Sequence, residues 1–279
     1  MNTFKIGEDV MGLTEWARVL VAALVGLGML VVVPLGLRLI PGAWPADRLR
    51  WWFAGAVPGA VSLWLPRGPV AAGLAALYLL VALALLARAR PRLGVAACTA
   101  LAAPAVAASA LVAERAGFRL MGFRLDVLAL TEAHFHYAGF AAALVAGLVS
   151  AYDGGSRAGR TAALAVPAGT GLVLAGFFVG EWVELAGAAV LTAGMWLAAW
   201  ATLRAVRPAT ADPAARALLA VSAAVLAVTM VLALDWALGH VTAVPHLPLS
   251  WMVATHGVAN ALGFALCSVL AWRRVGAFS

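Results

Sequence analysis

Charge is scarce in this chain of 279 residues: Asp, Glu, Lys and Arg make up only 11% of it, whereas 65% is hydrophobic and the mean hydropathy is +0.99. Soluble domains carry roughly 25% charged residues, so an ordinary soluble fold is excluded. Cysteine is nearly absent too. Cys98 and Cys267 both fall inside apolar runs, which leaves no support for a disulfide framework or a CxxC metal site and reads as packing. Lys5 is the single lysine among nineteen basic residues, the rest being arginine. The arginines sit in short clusters between apolar runs and form no basic stripe interleaved with aromatics, so nucleic acid is not the expected partner. Glycine-rich nucleotide loops, a nucleophile elbow, an HExxH pair and an EF-hand loop are all missing.

What is present is a series of apolar runs, each about long enough for a hydrocarbon core that takes roughly 20 helical residues to cross. Lipid offers the backbone no partners, and alternating barrel strands are absent, so the spans are helices. The sequence predicts an all-α polytopic bundle forming a single membrane domain over residues 1–279. Nine helices are expected near 16–37, 51–66, 69–87, 93–113, 127–151, 161–179, 181–203, 217–238 and 250–272. The first run, "ARVLVAALVGLGMLVVVPLGLRL", is too long for a signal-peptide core and reads as a retained span. The second is short, with Pro58 inside and Pro66 at its end, so eight spans plus a re-entrant segment is the alternative count. Helices three and four contain nothing ionisable within their apolar runs and read as scaffold.

Lys and Arg collect in cytoplasmic loops. Placing the N-terminus outside puts thirteen of the nineteen basic residues inside, from Arg38, Arg48 and Arg50 through Arg88, Arg90, Arg92, Arg157, Arg160, Arg204, Arg207 and Arg216 to Arg273 and Arg274. Lys5, Arg18, Arg67, Arg115, Arg119 and Arg124 remain outside, the last three in the linker "ERAGFRLMGFRLD", which is expected along the interface. The expected orientation is N-out and C-in.

On that topology the ionisable residues within the spans all fall in the outer half. Helix five brings Glu132, His134 and His136 to roughly 7–14 Å below its start, and helix nine brings His256 and Asn260 to roughly 10–16 Å, at about 1.5 Å per residue. Glu181 and Glu184 open helix seven, and Asp235 lies near the end of helix eight. Residues four apart share a helix face. Glu132 therefore points with His136, and His256 with Asn260, while His134 points elsewhere. Charge near mid-bilayer costs at least about 2.5–3.5 kcal/mol, so one shared outward-facing pocket is the economical expectation.

Imidazole and carboxylate together are the ligand set of zinc or non-haem iron. In that reading His134, His136 and His256 are the ligands of a divalent metal. Glu132 or Glu184 is the base, and Tyr137, Glu181, Asp235 and Asn260 support the pocket. The substrate is then a lipid-soluble or membrane-proximal small molecule. A transporter or proton or cation relay using the same residues is the competing class. A haem held by His134 or His136 with His256 stands behind both, because it needs only two axial imidazoles. Glu181 and Asp235, beside Trp182 and Trp236, also fit interfacial anchors, and Asn260 an interhelical hydrogen bond. His240 and His246, in "GHVTAVPHLP", are expected to face solvent or cap the pocket mouth.

The segments "HFHYAGF" (His134 to Phe140) and "HGVANALGF" (His256 to Phe264), with the nine-span layout, resemble the YndJ-like family of bacterial integral membrane proteins. The resemblance implies a polytopic membrane protein and singles out His134, His136, Tyr137, His256 and Asn260, but carries no activity with it. "AHFHY" alone also looks like the haem-binding helix of haem-copper oxidase subunit I. This chain departs from that pattern in its histidine count, its span count and the lack of a copper motif.

Overall fold

The structure, a computed structural model, describes residues 12–42, 44, 49–242 and 244–276; the basic residues Lys5 and Arg48 lie outside them. The described residues form helices and connecting turns, with no strand among them. Eight helices are long and apolar enough to cross a membrane: α1 Glu15–Leu37, α3 Pro69–Leu86, α4 Val95–Arg115, α5 Leu125–Tyr152, α6 Arg157–Val179, α7 Glu181–Ala209, α8 Pro213–Thr242 and α9 Leu249–Val275. The short helix is α2, Leu49–Ser62, whose 14 residues rise only about 21 Å at about 1.5 Å each. It is nevertheless anchored in the bundle: Trp52 is fully buried and its indole N–H donates to the main-chain oxygen of Met29 on α1, 2.8 Å away.

The chain alternates between two faces of the bundle. The face where α1 begins, here the N-terminal face, also receives the starts of α3, α5, α7 and α9 and the ends of α2, α4, α6 and α8. Exposed Trp16, Trp64, Trp182 and Trp251 ring it, as aromatic side chains do at a membrane interface.

Small residues decide how closely the helices pack. A Cβ at Gly169 or Gly176 of α6 would lie 2.4 Å from the backbone nitrogen of Leu191 or 2.6 Å from the Cα of Glu184 on α7, and one at Gly187 would lie 2.5 Å from the backbone nitrogen of Val173. These glycines let the two backbones touch. A single residue, Gly180 at φ 140°, joins the pair.

α5 is the most enclosed span, and from Phe140 to Val149 almost every side chain is apolar and buried. Three of the spans widen near its middle. Gly28–Val32 in α1, Phe135–Ala141 in α5 and the stretches Val253–Gly257 and Ala259–Leu266 in α9 adopt wide π turns, and these pack against one another. Such turns interrupt the regular ladder and occur often at functional positions.

Candidate functional site

The widened turn of α5 shortens the angular step between neighbours, so the consecutive His136 and Tyr137 both reach α1. The Cβ of His136 occupies the space a Cβ on Gly28 would need, 2.8 Å away, and the Tyr137 hydroxyl donates to the Leu24 carbonyl at 2.6 Å. His136 is fully buried. Its Nδ1 lies 2.6 Å from the main-chain oxygen of Glu132, and its Nε2 lies 2.7 Å from the Tyr78 hydroxyl on α3. A carbonyl can only accept, so Nδ1 carries the proton and Nε2 accepts from Tyr78. The Tyr78 ring lies nearly parallel to the imidazole and meets Trp52 edge-on.

One turn away, the Glu132 side chain is 1% exposed, and its Oε1 has no hydrogen-bond partner. Glu132 sits on the wall of a cavity of about 160 Å³ between α1, the α2–α3 link, the end of α4 and α5. Leu13, Val19, Val21, Ala22, Leu63, Trp64 and Ala129 form its apolar lining, and Arg18, Arg67, Glu114, Arg115, Asp126 and Glu132 its charged groups. A neighbouring open space shares Arg18, Arg67 and Asp126 and adds Arg119 and Arg124.

Within this rim, buried Glu114 accepts from Arg67 at 2.7 and 2.8 Å and from Arg115. Arg115 also reaches toward the carbonyls of Ser62, Leu63 and Leu65 at the end of α2. Arg124 pairs with Asp126. The Arg18 and Arg119 side chains, both exposed, have no partner among the described residues.

The opposite side of α5 holds a second cluster. His134 lies within electrostatic reach of His256 of α9, and its buried Nε2 has no partner. His256 donates from Nδ1 to the Thr229 carbonyl on α8 at 2.8 Å. Asn260 donates to the His256 carbonyl and accepts from the Thr229 hydroxyl at 3.0 Å. A third group lies at the start of α7 and the end of α8. Exposed Glu181 and partly buried Glu184 interact with one another, and Glu181 also with His240. His240, His246 and Trp236 meet edge to face. His240 belongs to α8 and is partly buried, so the expected solvent-facing loop begins later. Asp235 is partly buried, with no side-chain partner among the described residues.

The expected single pocket is thus divided in three, and the cavity that Glu132 lines has no histidine on its wall. Among the described residues, no group of three or more His, Cys, Asp or Glu side chains is placed to hold a metal ion. The geometry therefore does not support the divalent metal set His134, His136 and His256. The physical reason is the turn of α5: its two faces send His136 toward α1 and α3 and His134 toward α9. His136 has both nitrogens engaged, so serving as a haem or metal ligand would require it to release Tyr78 or the backbone.

Sequence reasoning missed the scaffold helices' contribution. Tyr78 is the one hydroxyl-bearing side chain in the apolar run of α3. Glu114 and Arg115, assigned to a linker, form the last turn of α4, which runs two residues past the expected end. An acid and a base adjacent at the edge of an apolar run were the available signal.

Comparison with curated proteins and with solved structures gave no match. A profile of the YndJ-like protein family matches residues 23–264, which is most of the chain and runs from within α1 to within α9. The chain therefore belongs to the YndJ-like family.

Proposed function

We propose that this is a proton-exchanging, ligand-binding protein of the bacterial plasma membrane, with access from the N-terminal face, turned outward, and Glu132 as the group that takes and releases the proton. The observation that carries this reading is Glu132 itself, a carboxyl buried to 1% exposure with an oxygen left unpaired on the wall of a cavity. Ionisable side chains inside spans are costly, and where they persist they mark ligand or proton routes. His136 and Tyr78 continue inward from the Glu132 main-chain oxygen as a hydrogen-bonded string. Below them α5 is apolar from Phe140 to Val149, which favours one-sided binding over an open conduit.

The test is infrared difference spectroscopy across a pH change, on the full chain in nanodiscs. The expected result is a carboxyl band that changes with pH in the wild type and is lost in Glu132→Gln. A pH-insensitive spectrum, or one that Glu132→Gln leaves unaltered, overturns the reading.

Transport of the bound ligand is a second reading, favoured by the wide turns of α1, α5 and α9 meeting at the level of His136, where helices have a place to repack. Proton flux in proteoliposomes that is abolished by Glu132→Gln supports it. Proton exchange at Glu132 without flux leaves binding alone.

A further inference from the structure

We propose that the cavity above Glu132 seats a phosphate group, the headgroup of an acidic amphiphile, at its mouth, with Arg18 on the cavity wall and Arg119 on the adjoining open space as free guanidinium donors and Glu132 as a proton-dependent donor beneath. This names the ligand class for the site proposed above and rests on that reading.

Three observations converge. The surroundings are basic: Arg18, Arg67 and Arg115 on the cavity wall, with Arg119 and Arg124 on the open space beside it, face three carboxyl groups, Glu114, Asp126 and Glu132. Glu114 holds Arg67 and Arg115 in place, and Asp126 pairs with Arg124, which leaves Arg18 and Arg119 available. Guanidinium forks match phosphate oxygens, and several can share one group.

The cavity is also the right size and composition. About 160 Å³ is roughly ten times what one water needs by the same measure, so a headgroup enters and a whole lipid does not. Its wall of Val19, Ala22, Leu63 and Trp64 continues to the bundle surface, where Val19 is 53% and Trp64 60% exposed. An acyl chain attached to the bound group can leave along these side chains at the level of the aromatic ring.

The third observation gives the site its sign. Glu132 as a carboxylic acid donates a hydrogen bond to a bound phosphate, and as a carboxylate repels it. The charged or titratable groups around Glu132 are Arg18 from α1, Tyr78 from α3, Arg67 from the link before α3, Glu114 and Arg115 from α4, and Asp126 and His136 from α5. Phosphate binding and proton uptake at Glu132 therefore favour one another, and affinity falls as pH rises.

The experiment uses the full chain in nanodiscs of a zwitterionic lipid, with phosphatidic acid added in one arm and inorganic phosphate in the other, read by phosphorus NMR and calorimetry. Phosphatidic acid is expected to bind, and the Arg18→Gln/Arg119→Gln double variant, altered only at exposed positions, to bind at least about tenfold more weakly, as befits losing charge-assisted bonds. Equal binding of inorganic phosphate supports the seat and assigns it to the free ion. Binding to neither probe, or unchanged binding in the double variant, overturns the proposal. Failure here is separable from failure of proton exchange. A Glu132 infrared band that titrates in a protein binding no phosphate removes the seat alone. Phosphate binding that is indifferent to pH and to Glu132→Gln removes the coupling to Glu132 and leaves the arginine seat.

Discussion

The two sides of α5 use similar residue types and finish differently. Toward α1, α3 and α4, a histidine held at both nitrogens lies next to a carboxyl with an unpaired oxygen on a basic cavity. Toward α8 and α9, a histidine, an asparagine and a threonine close a knot of hydrogen bonds across two helices. The second arrangement serves interhelical packing, because two of its three bonds tie α8 to α9, although the neighbouring His134 keeps an unpartnered nitrogen. The first leaves chemistry open.

The contrast breaks most severely at Glu114. Replacing it with alanine leaves Arg115, and the buried part of Arg67, without their counter-ion, so a loss of about 3 kcal/mol is expected. It would appear as a lower midpoint of thermal unfolding in detergent, while Arg67→Ala, which removes a half-exposed partner, lowers the midpoint less. Gly28→Val comes next. Its Cβ would already meet His136, and overpacking of about 1–3 kcal/mol is expected. A cysteine accessibility assay at position 132 would then report a loosened cavity wall; unchanged stability and accessibility would show that His136 has room to move.

Tyr78→Phe strands the Nε2 of His136, at an expected cost of about 1 kcal/mol. A double-mutant cycle with His136→Ala should return most of that as coupling energy, and a cycle without coupling would mean the two rings merely stack. On the α8–α9 side, Asn260→Ala should cost about 0.6 kcal/mol, the usual size of an interhelical bond in a membrane protein. It should leave phosphate binding unaltered, so an effect on binding would erase the distinction between the two sides.

The smallest effect lies outside both clusters. The Asp212 carboxyl accepts the Ala214 N–H at 2.8 Å at the start of α8 and meets Arg274 at 3.2 Å. The Ala214 bond first, and Arg274 with it, hold this carboxyl below the ordinary carboxylate range. A lowered value means that the charged form is favoured by folding. The contribution is therefore complete above the ordinary range and disappears as pH falls through the folded-state value. Thermal midpoints of wild type and Asp212→Asn should differ slightly at neutral pH and converge on acidification, and a gap that persists in acid would assign the difference to something other than this charge.

The helices were legible because hydrophobic length is a property of contiguous residues. All nine expected helices are found, and most ends fall within four residues of expectation, α7 running further, to Ala209. The imidazole of His136 meets the main-chain oxygen of Glu132 four residues back, whereas His134 lies toward α9. What stayed hidden depends on contacts across helices. Nothing in the apolar run of α3 says that Tyr78 meets a histidine 58 positions away, and nothing near Arg67 names Glu114. The division of the expected pocket had the same cause: common depth is visible in a linear string, whereas azimuth around the bundle is set by packing.

The one-residue joint at Gly180 has a practical corollary for anyone handling this protein. With α6 and α7 pressed backbone to backbone, an epitope or fluorophore inserted at the joint would pry the pair apart. The turn at Gly154 and Gly155, at the other end of α6, offers a gentler place for a tag.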